Sequence, residues 1–213
     1  MWLITAILSL LTTNLIFTRA LGTSTMMAAS KKQSSLPVLA LVMTCLSVLA
    51  CLGMQLVCYP LGLVNLLRYP YSLGLPFVYT LMIGLIYLLA LAVLELIFRK
   101  KAVNYRKYIH LSAFNCAVMG TLYLAFSPDG LNQDLRYPPM VKLFGLLDGA
   151  MNEPFSAILF GLQEGLGFFL ASLLLSLVRE RLYDTEVPRS FRGRPAMMVY
   201  IGVIALAVYA IFI

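Results

Sequence analysis

The chain has 213 residues, 61% of them apolar and 12% charged, with a net charge of +7. A soluble globular domain holds about 45–50% apolar and about 25% charged residues, which excludes an ordinary water-soluble fold. The basic residues sit in short intervals between apolar runs rather than along one stripe, which argues for membrane topology and against nucleic acid as the partner.

Six apolar runs follow one another, each near the ~20 residues that a helix needs to cross a bilayer core of about 30 Å. The first extends from about Trp2 to Lys31 and is interrupted at Gly22-Thr23-Ser24-Thr25. Its start, Met1–Thr18, has no basic residue before the apolar stretch and no clean A-x-A site after it, so it reads as a retained span rather than a cleaved signal. The second and third runs are about Leu36–Cys58 and Tyr71–Phe98. The fourth is Tyr108–Phe126, followed by a polar interval, Ser127–Glu153, whose Pro, Gly and Asp residues mark a loop. The fifth and sixth are Pro154–Val178 and Pro195–Ile213. The expected fold is therefore all-α, a polytopic integral membrane protein of six transmembrane helices in a single membrane domain, residues 1–213.

Basic residues orient it. Lys31 and Lys32 follow the first run. Arg99, Lys100, Lys101, Arg106 and Lys107 follow the third, and Arg179, Arg181, Arg189, Arg192 and Arg194 follow the fifth. The alternate intervals hold only Arg68, Arg136 and Lys142. By the positive-inside rule the first set is cytoplasmic, so both termini are expected outside the cytoplasm.

Polar groups at membrane depth are costly and are functional candidates for that reason. Glu95 stands four residues before Arg99, the favourable i,i+4 order on a helix, and reads either as an anchoring ion pair at the membrane edge or as a group on an ion path. Gln163 and Glu164 lie more centrally among Gly161, Gly165 and Gly167, small residues that let another backbone approach. For Glu164 the alternatives are an ion path and polar contact with a neighbouring subunit. His110, the single histidine, follows the basic cluster and reads as interfacial. The four cysteines, Cys45, Cys51, Cys58 and Cys116, all lie in apolar runs and form no C-x-x-C pair, which argues against a disulfide framework. Neither a G-x-G-x-x-G nor a phosphate-cradling loop is present.

The most informative stretches are Asn14 through Gly22 and Asn115 through Gly120. Each places an asparagine and a glycine inside an apolar run, one in the first and one in the fourth. Three spans separate them, so a three-helix repeat would be inserted in opposite orientation. Inverted repeats with broken helices are a recurrent way to build a buried site. Residues 1–100 and 101–213 are the candidate repeats, with Asn14, Gly22, Asn115 and Gly120 as site-shaping positions.

At these residues the chain resembles a known family, the A subunit of Rnf complexes and the E subunit of the sodium-pumping NADH:quinone reductase. Leu21-Gly22 and Ser30-Lys31-Lys32 fit the family's L-G-x-C-P…S-K-K. Asn115-Cys116-Ala117-Val118-Met119-Gly120 fits T-N-C-A-V-L-G. Arg179-Glu180-Arg181-Leu182, Val187-Pro188 and Phe191-Arg192-Gly193 fit R-E-R-L…V-P…F-R-G, and Glu95 with Arg99-Lys100 fits E-x-x-x-R-K. Order and spacing agree along nearly the whole chain.

The resemblance implies six helices in two inverted halves, with half-helices in the first and fourth spans. It implies residence in the bacterial cytoplasmic membrane beside a homologous sister subunit of opposite topology, together with further subunits bearing flavin and iron–sulfur clusters. It also implies a [2Fe–2S] cluster between the sisters, each giving two cysteines, through which electrons cross the bilayer. The complex links ferredoxin and NAD redox chemistry to Na+ or H+ translocation, and this chain alone is expected to turn over no substrate. Cys116 fits one ligand position. The other falls on Ser24, and the proline after it falls on Thr25. A serine oxygen is a harder, more basic donor than a thiolate, and should lower the potential if it binds. Two alternatives stand beside the electron carrier: a cluster-less structural or ion-conducting subunit of such a complex, and an unrelated small-solute transporter built on an inverted repeat.

Overall fold

In a hydrocarbon solvent the backbone must satisfy its own polar groups, and a continuous apolar run does so as a helix. The computed structural model describes residues 20–30, 35–58, 60, 74–98, 102–126, 154–184 and 188–212, and all regular structure among them is helical. The helices are α1 (Thr23–Ser30), α2 (Leu36–Gly53, continued by one wider turn, Met54–Cys58), α3 (Gly74–Phe98), α4 (Ala102–Ala113), α5 (Cys116–Phe126), α6 (Pro154–Leu182) and α7 (Arg194–Phe212). Among the described residues, three stretches are long and apolar enough to cross a membrane: Leu36–Val57, Pro76–Ile97 and Ala157–Leu182. Asn14 and the rest of the first run before Ala20 lie outside the described residues, as do Lys31, Lys32, Arg68, Arg99 and the interval 127–153.

α2 is the centre of the bundle. Pro37 occupies its first turn, where the missing N–H breaks no helical bond. Its buried residues, Leu36, Leu39, Ala40, Met43, Leu46, Ser47, Ala50 and Cys51, recur every three to four positions and form one face. α6 packs antiparallel against α2: a Cβ on Gly165 would run into the Thr44 side chain, and one on Gly161 would lie 2.7 Å from the Val48 Cα. Gly161 and Gly165, two of the three glycines expected to admit a neighbouring backbone, therefore admit α2 of the same chain. The core continues through Met26, Tyr79, Leu122, Phe126, Phe168, Leu175 and Met197.

The outer side is no less apolar than the inner. On α3, Leu81, Leu85, Leu88, Leu89 and Leu96 are exposed, and only 22% of its spanning window is buried. An apolar face of that extent suits a lipid surround.

The fourth run departs from a single helix, as its asparagine suggests. It begins earlier than its apolar residues do, at Ala102, breaks at Phe114 and Asn115, and resumes at Cys116. Its halves of 12 and 11 residues each rise about 17 Å, well short of the bilayer core. The fifth run extends past Val178 to Leu182, because Arg179-Glu180-Arg181-Leu182 are strong helix formers and the arginines suit the negative end of the helix. Beyond it the Gly193 N–H donates to the Leu182 carbonyl at 3.2 Å, and the Tyr183 ring packs where a Gly193 Cβ would stand. Gly193 takes φ +84, a conformation that glycine adopts without strain. The R-E-R-L and F-R-G blocks are thus brought into contact at Gly193.

Candidate functional site

The site is built where two helices start against each other. Before α1 the chain turns through left-handed Ala20 (φ 53) and Gly22 (φ 79). The first helical bond follows, from Met26 N–H to the Gly22 carbonyl at 3.1 Å. Before α5 the chain breaks at Asn115, whose Oδ1 accepts the Ala117 N–H at 3.1 Å and so caps the helix. The two starts touch: a Cβ on Gly22 would stand 3.0 Å from the Ala117 Cβ and 3.1 Å from Asn115 Oδ1.

A polar link joins them. Asn115 Nδ2 donates to Thr25 Oγ1 at 2.7 Å, and Thr25 Oγ1 donates to the Gly22 carbonyl at 2.7 Å. Met43 Sδ, 3.5 Å from Asn115 Nδ2, brings α2 to the same point. Thr25 and Asn115 are both 3% exposed, so the link is sealed inside the bundle. Their neighbours Ser24 and Cys116 are exposed. Each first turn thus turns one residue inward to hold the junction and one outward.

Gly22 and Asn115 are therefore brought together, while Gly120 lies further along α5, half-buried. The positive ends of α1 and α5 both lie at this junction and favour negative charge beside Ser24 and Cys116. Among the described residues no three or more His, Cys, Asp or Glu side chains gather into a metal-binding group. Cys116 stands beside this junction as a free, exposed cysteine. Cys51 is fully buried, and it lies eight residues along α2 from Met43, about 12 Å on a helix.

The carboxylates lie apart from this junction. Glu95 pairs with Arg106 of α4, both about half-exposed. Arg99 lies outside the described residues, so the pair in view joins two helices rather than two turns of one. His110 Nδ1 lies 2.6 Å from the Tyr87 hydroxyl, again between α3 and α4. Glu164 is 7% exposed, on the α6 face against α2 and within electrostatic reach of Cys51. Its immediate surroundings include this chain's own helices. Sequence reasoning missed Thr25, Arg106 and Tyr87 as partners. Only the two Asn/Gly breaks signalled that the chain converges here, and nothing local marked the threonine.

The profile of the family described as Rnf-Nqr subunit, membrane protein, matches residues 2–213. The chain belongs to the Rnf-Nqr family. Its similarity to two proteins named as the A subunit of the ion-translocating oxidoreductase complex runs along nearly the whole chain. That of Shewanella piezotolerans (strain WP3 / JCM 13877) is 26% identical over 203 residues, covering 93% of this chain and 90% of the relative. That of Azoarcus sp. (strain BH72) is 26% identical over 212 residues, covering 97% and 93%. A protein of the same name from Buchnera aphidicola subsp. Baizongia pistaciae is 35% identical over 63 residues, covering 29% of this chain and 32% of its own length. Family membership sets aside the reading as an unrelated transporter.

Proposed function

We propose that the chain is a membrane subunit of an Rnf-type ion-translocating ferredoxin:NAD+ oxidoreductase complex, one of two sister subunits that hold a [2Fe–2S] cluster between them. The observation that carries the reading is the junction of α1 and α5, which turns Cys116 and Ser24 outward from two adjoining helix starts. The donors fit that group from one side: Cys116 offers a thiolate, Ser24 an oxygen at the second position, and the helix starts favour an anion. When bound, such a cluster supplies one-electron transfer through a bilayer that carries no electrons itself.

This chain's own residues do the holding. Asn115 fixes the first turn of α5, Gly22 lets α1 approach it, and the sealed Thr25–Asn115 link keeps water from the inner side of the junction. The two interrupted runs suit six helices in two inverted repeats, with the sister subunit inverted against this one in the bacterial inner membrane. The basic residues suit termini outside the cytoplasm. Flavin-bearing and iron–sulfur subunits would deliver and receive the electrons. Glu95 and Glu164 are the candidates for coupling to Na+ or H+ movement, one at the membrane edge and one inside the bundle.

A second reading, a subunit of the same complex without the cluster, draws on Ser24: the oxygen is a poor substitute for a thiolate. The test is iron content and reduced-state EPR of the purified complex with and without Cys116→Ala. Loss in the variant of a [2Fe–2S] signal present in the wild type supports the electron carrier. No signal that depends on Cys116 sinks it in favour of the cluster-less subunit.

A further inference from the structure

We propose that Thr25 is a positioning residue for Cys116, acting through Asn115. Thr25 stands where the resembling subunits carry a proline, and a proline has no hydroxyl to offer. In this chain the Thr25 hydroxyl is the short acceptor of Asn115 Nδ2, at 2.7 Å, while the other contact of that nitrogen is a thioether at 3.5 Å. A thioether is a weak acceptor, so the hydroxyl decides which way the amide faces. With Nδ2 held on Thr25, Oδ1 faces the Ala117 N–H and caps α5. Cys116 lies between the capping residue and the capped amide, so its place on the surface is set by the cap. Thr25 is itself fixed, because its single hydroxyl hydrogen is committed to the Gly22 carbonyl at 2.7 Å. The order of control runs from the Gly22 turn to Thr25, to Asn115, to the first turn of α5 and its thiol. Burial of both side chains keeps water from replacing either bond.

The control of the cap stands on the hydrogen bonds alone. Its value to a cluster rests on Cys116 being the ligand proposed above. The test therefore has two readouts. In the full-length chain in membrane vesicles, amide hydrogen exchange over residues 115–126 and alkylation of Cys116, mapped by mass spectrometry, report the cap directly. Thr25→Val removes the hydroxyl at nearly constant shape and is expected to raise both rates about five- to tenfold, the scale of one lost buried hydrogen bond. Thr25→Ser keeps the hydroxyl and is expected to match the wild type. Thr25→Pro, tolerated in the first turn of a helix, removes the hydroxyl a second way and is expected to follow Val. In the assembled complex, Val and Pro are expected to shift the g-values of the Cys116-dependent EPR signal, and Ser to leave them in place. Wild-type exchange and alkylation in both Val and Pro, or Ser behaving as Val, overturns the proposal. A Val effect on exchange without any Cys116-dependent EPR signal upholds the positioning and sinks the cluster reading instead.

Discussion

Gly22 and Ala117 lie so close that a Cβ added to the glycine would stand 3.0 Å from the Ala117 Cβ, across two helix starts 95 positions apart. Gly22 also has φ +79. Two independent costs meet at one position, left-handed backbone and overpacking, and both fall on the junction that holds Cys116.

Gly22→Ala is accordingly expected to destabilise the protein by about 2 kcal/mol or more. Thermal melts of the detergent-solubilised chain check this. A melting temperature equal to that of the wild type would show that the junction can open without cost.

The α2–α6 seam makes a sharper comparison. A Cβ on Gly165 meets the Thr44 side chain, whereas one on Gly161 meets the backbone of Ser47 and Val48. Both Gly→Ala variants are expected to lose stability, by about 1–3 kcal/mol. Thr44→Ala is expected to rescue much of the loss at Gly165, and no side-chain truncation on α2 is expected to rescue Gly161. A double-mutant cycle measured by denaturant unfolding reads the difference.

The Glu95–Arg106 pair is about half-exposed on both sides, so its stabilisation is expected to be under about 1 kcal/mol. Glu95→Gln and Arg106→Gln should each leave the melting temperature nearly unchanged. If Glu95 lies on an ion path, its variant lowers ion transport in proteoliposomes of the whole complex and Arg106→Gln lowers it less. Equal loss in both, recovered by the charge-swapped double variant, would instead assign the effect to the pair as a clasp between α3 and α4.

Ser24 is exposed, so Ser24→Cys alters the proposed ligand position without disturbing the core. On the proposed cluster reading, replacing an oxygen by a thiolate is expected to raise the reduction potential of the cluster and its iron occupancy. Redox-titrated EPR of the complex measures both. An unchanged potential and iron content would show that position 24 does not reach the cluster.

Much of the fold was legible because hydropathy and length are nearly sufficient in a bilayer. The second, third and fifth runs became long helices with ends displaced by only a few residues. The interruption at Asn115 was legible too, since an amide within an apolar run marks broken backbone. The contacts were harder to read. Glu95 reads most simply toward Arg99 on its own helix, and its pairing with Arg106 depends on how α3 and α4 fold back on each other. Thr25 reads as a mere departure from a proline, because its value lies in a side chain 90 positions away. Sequence spacing reports neighbours along a helix; it does not report which helices meet.

The break before α5 bears on how the protein is made. Residues 102–126 form two helices, neither able to cross a bilayer alone, and the amide at their break is partnered from α1. Without that partner the Asn115 side-chain amide would lose its short acceptor, a costly loss away from water. This segment is therefore expected to enter the membrane with a bundle already forming, after α1 and α2 have arrived. Nascent chains ending at Phe126 should resist carbonate extraction less when Thr25 and Asn115 are both alanine, so the junction that serves the finished protein serves its assembly too.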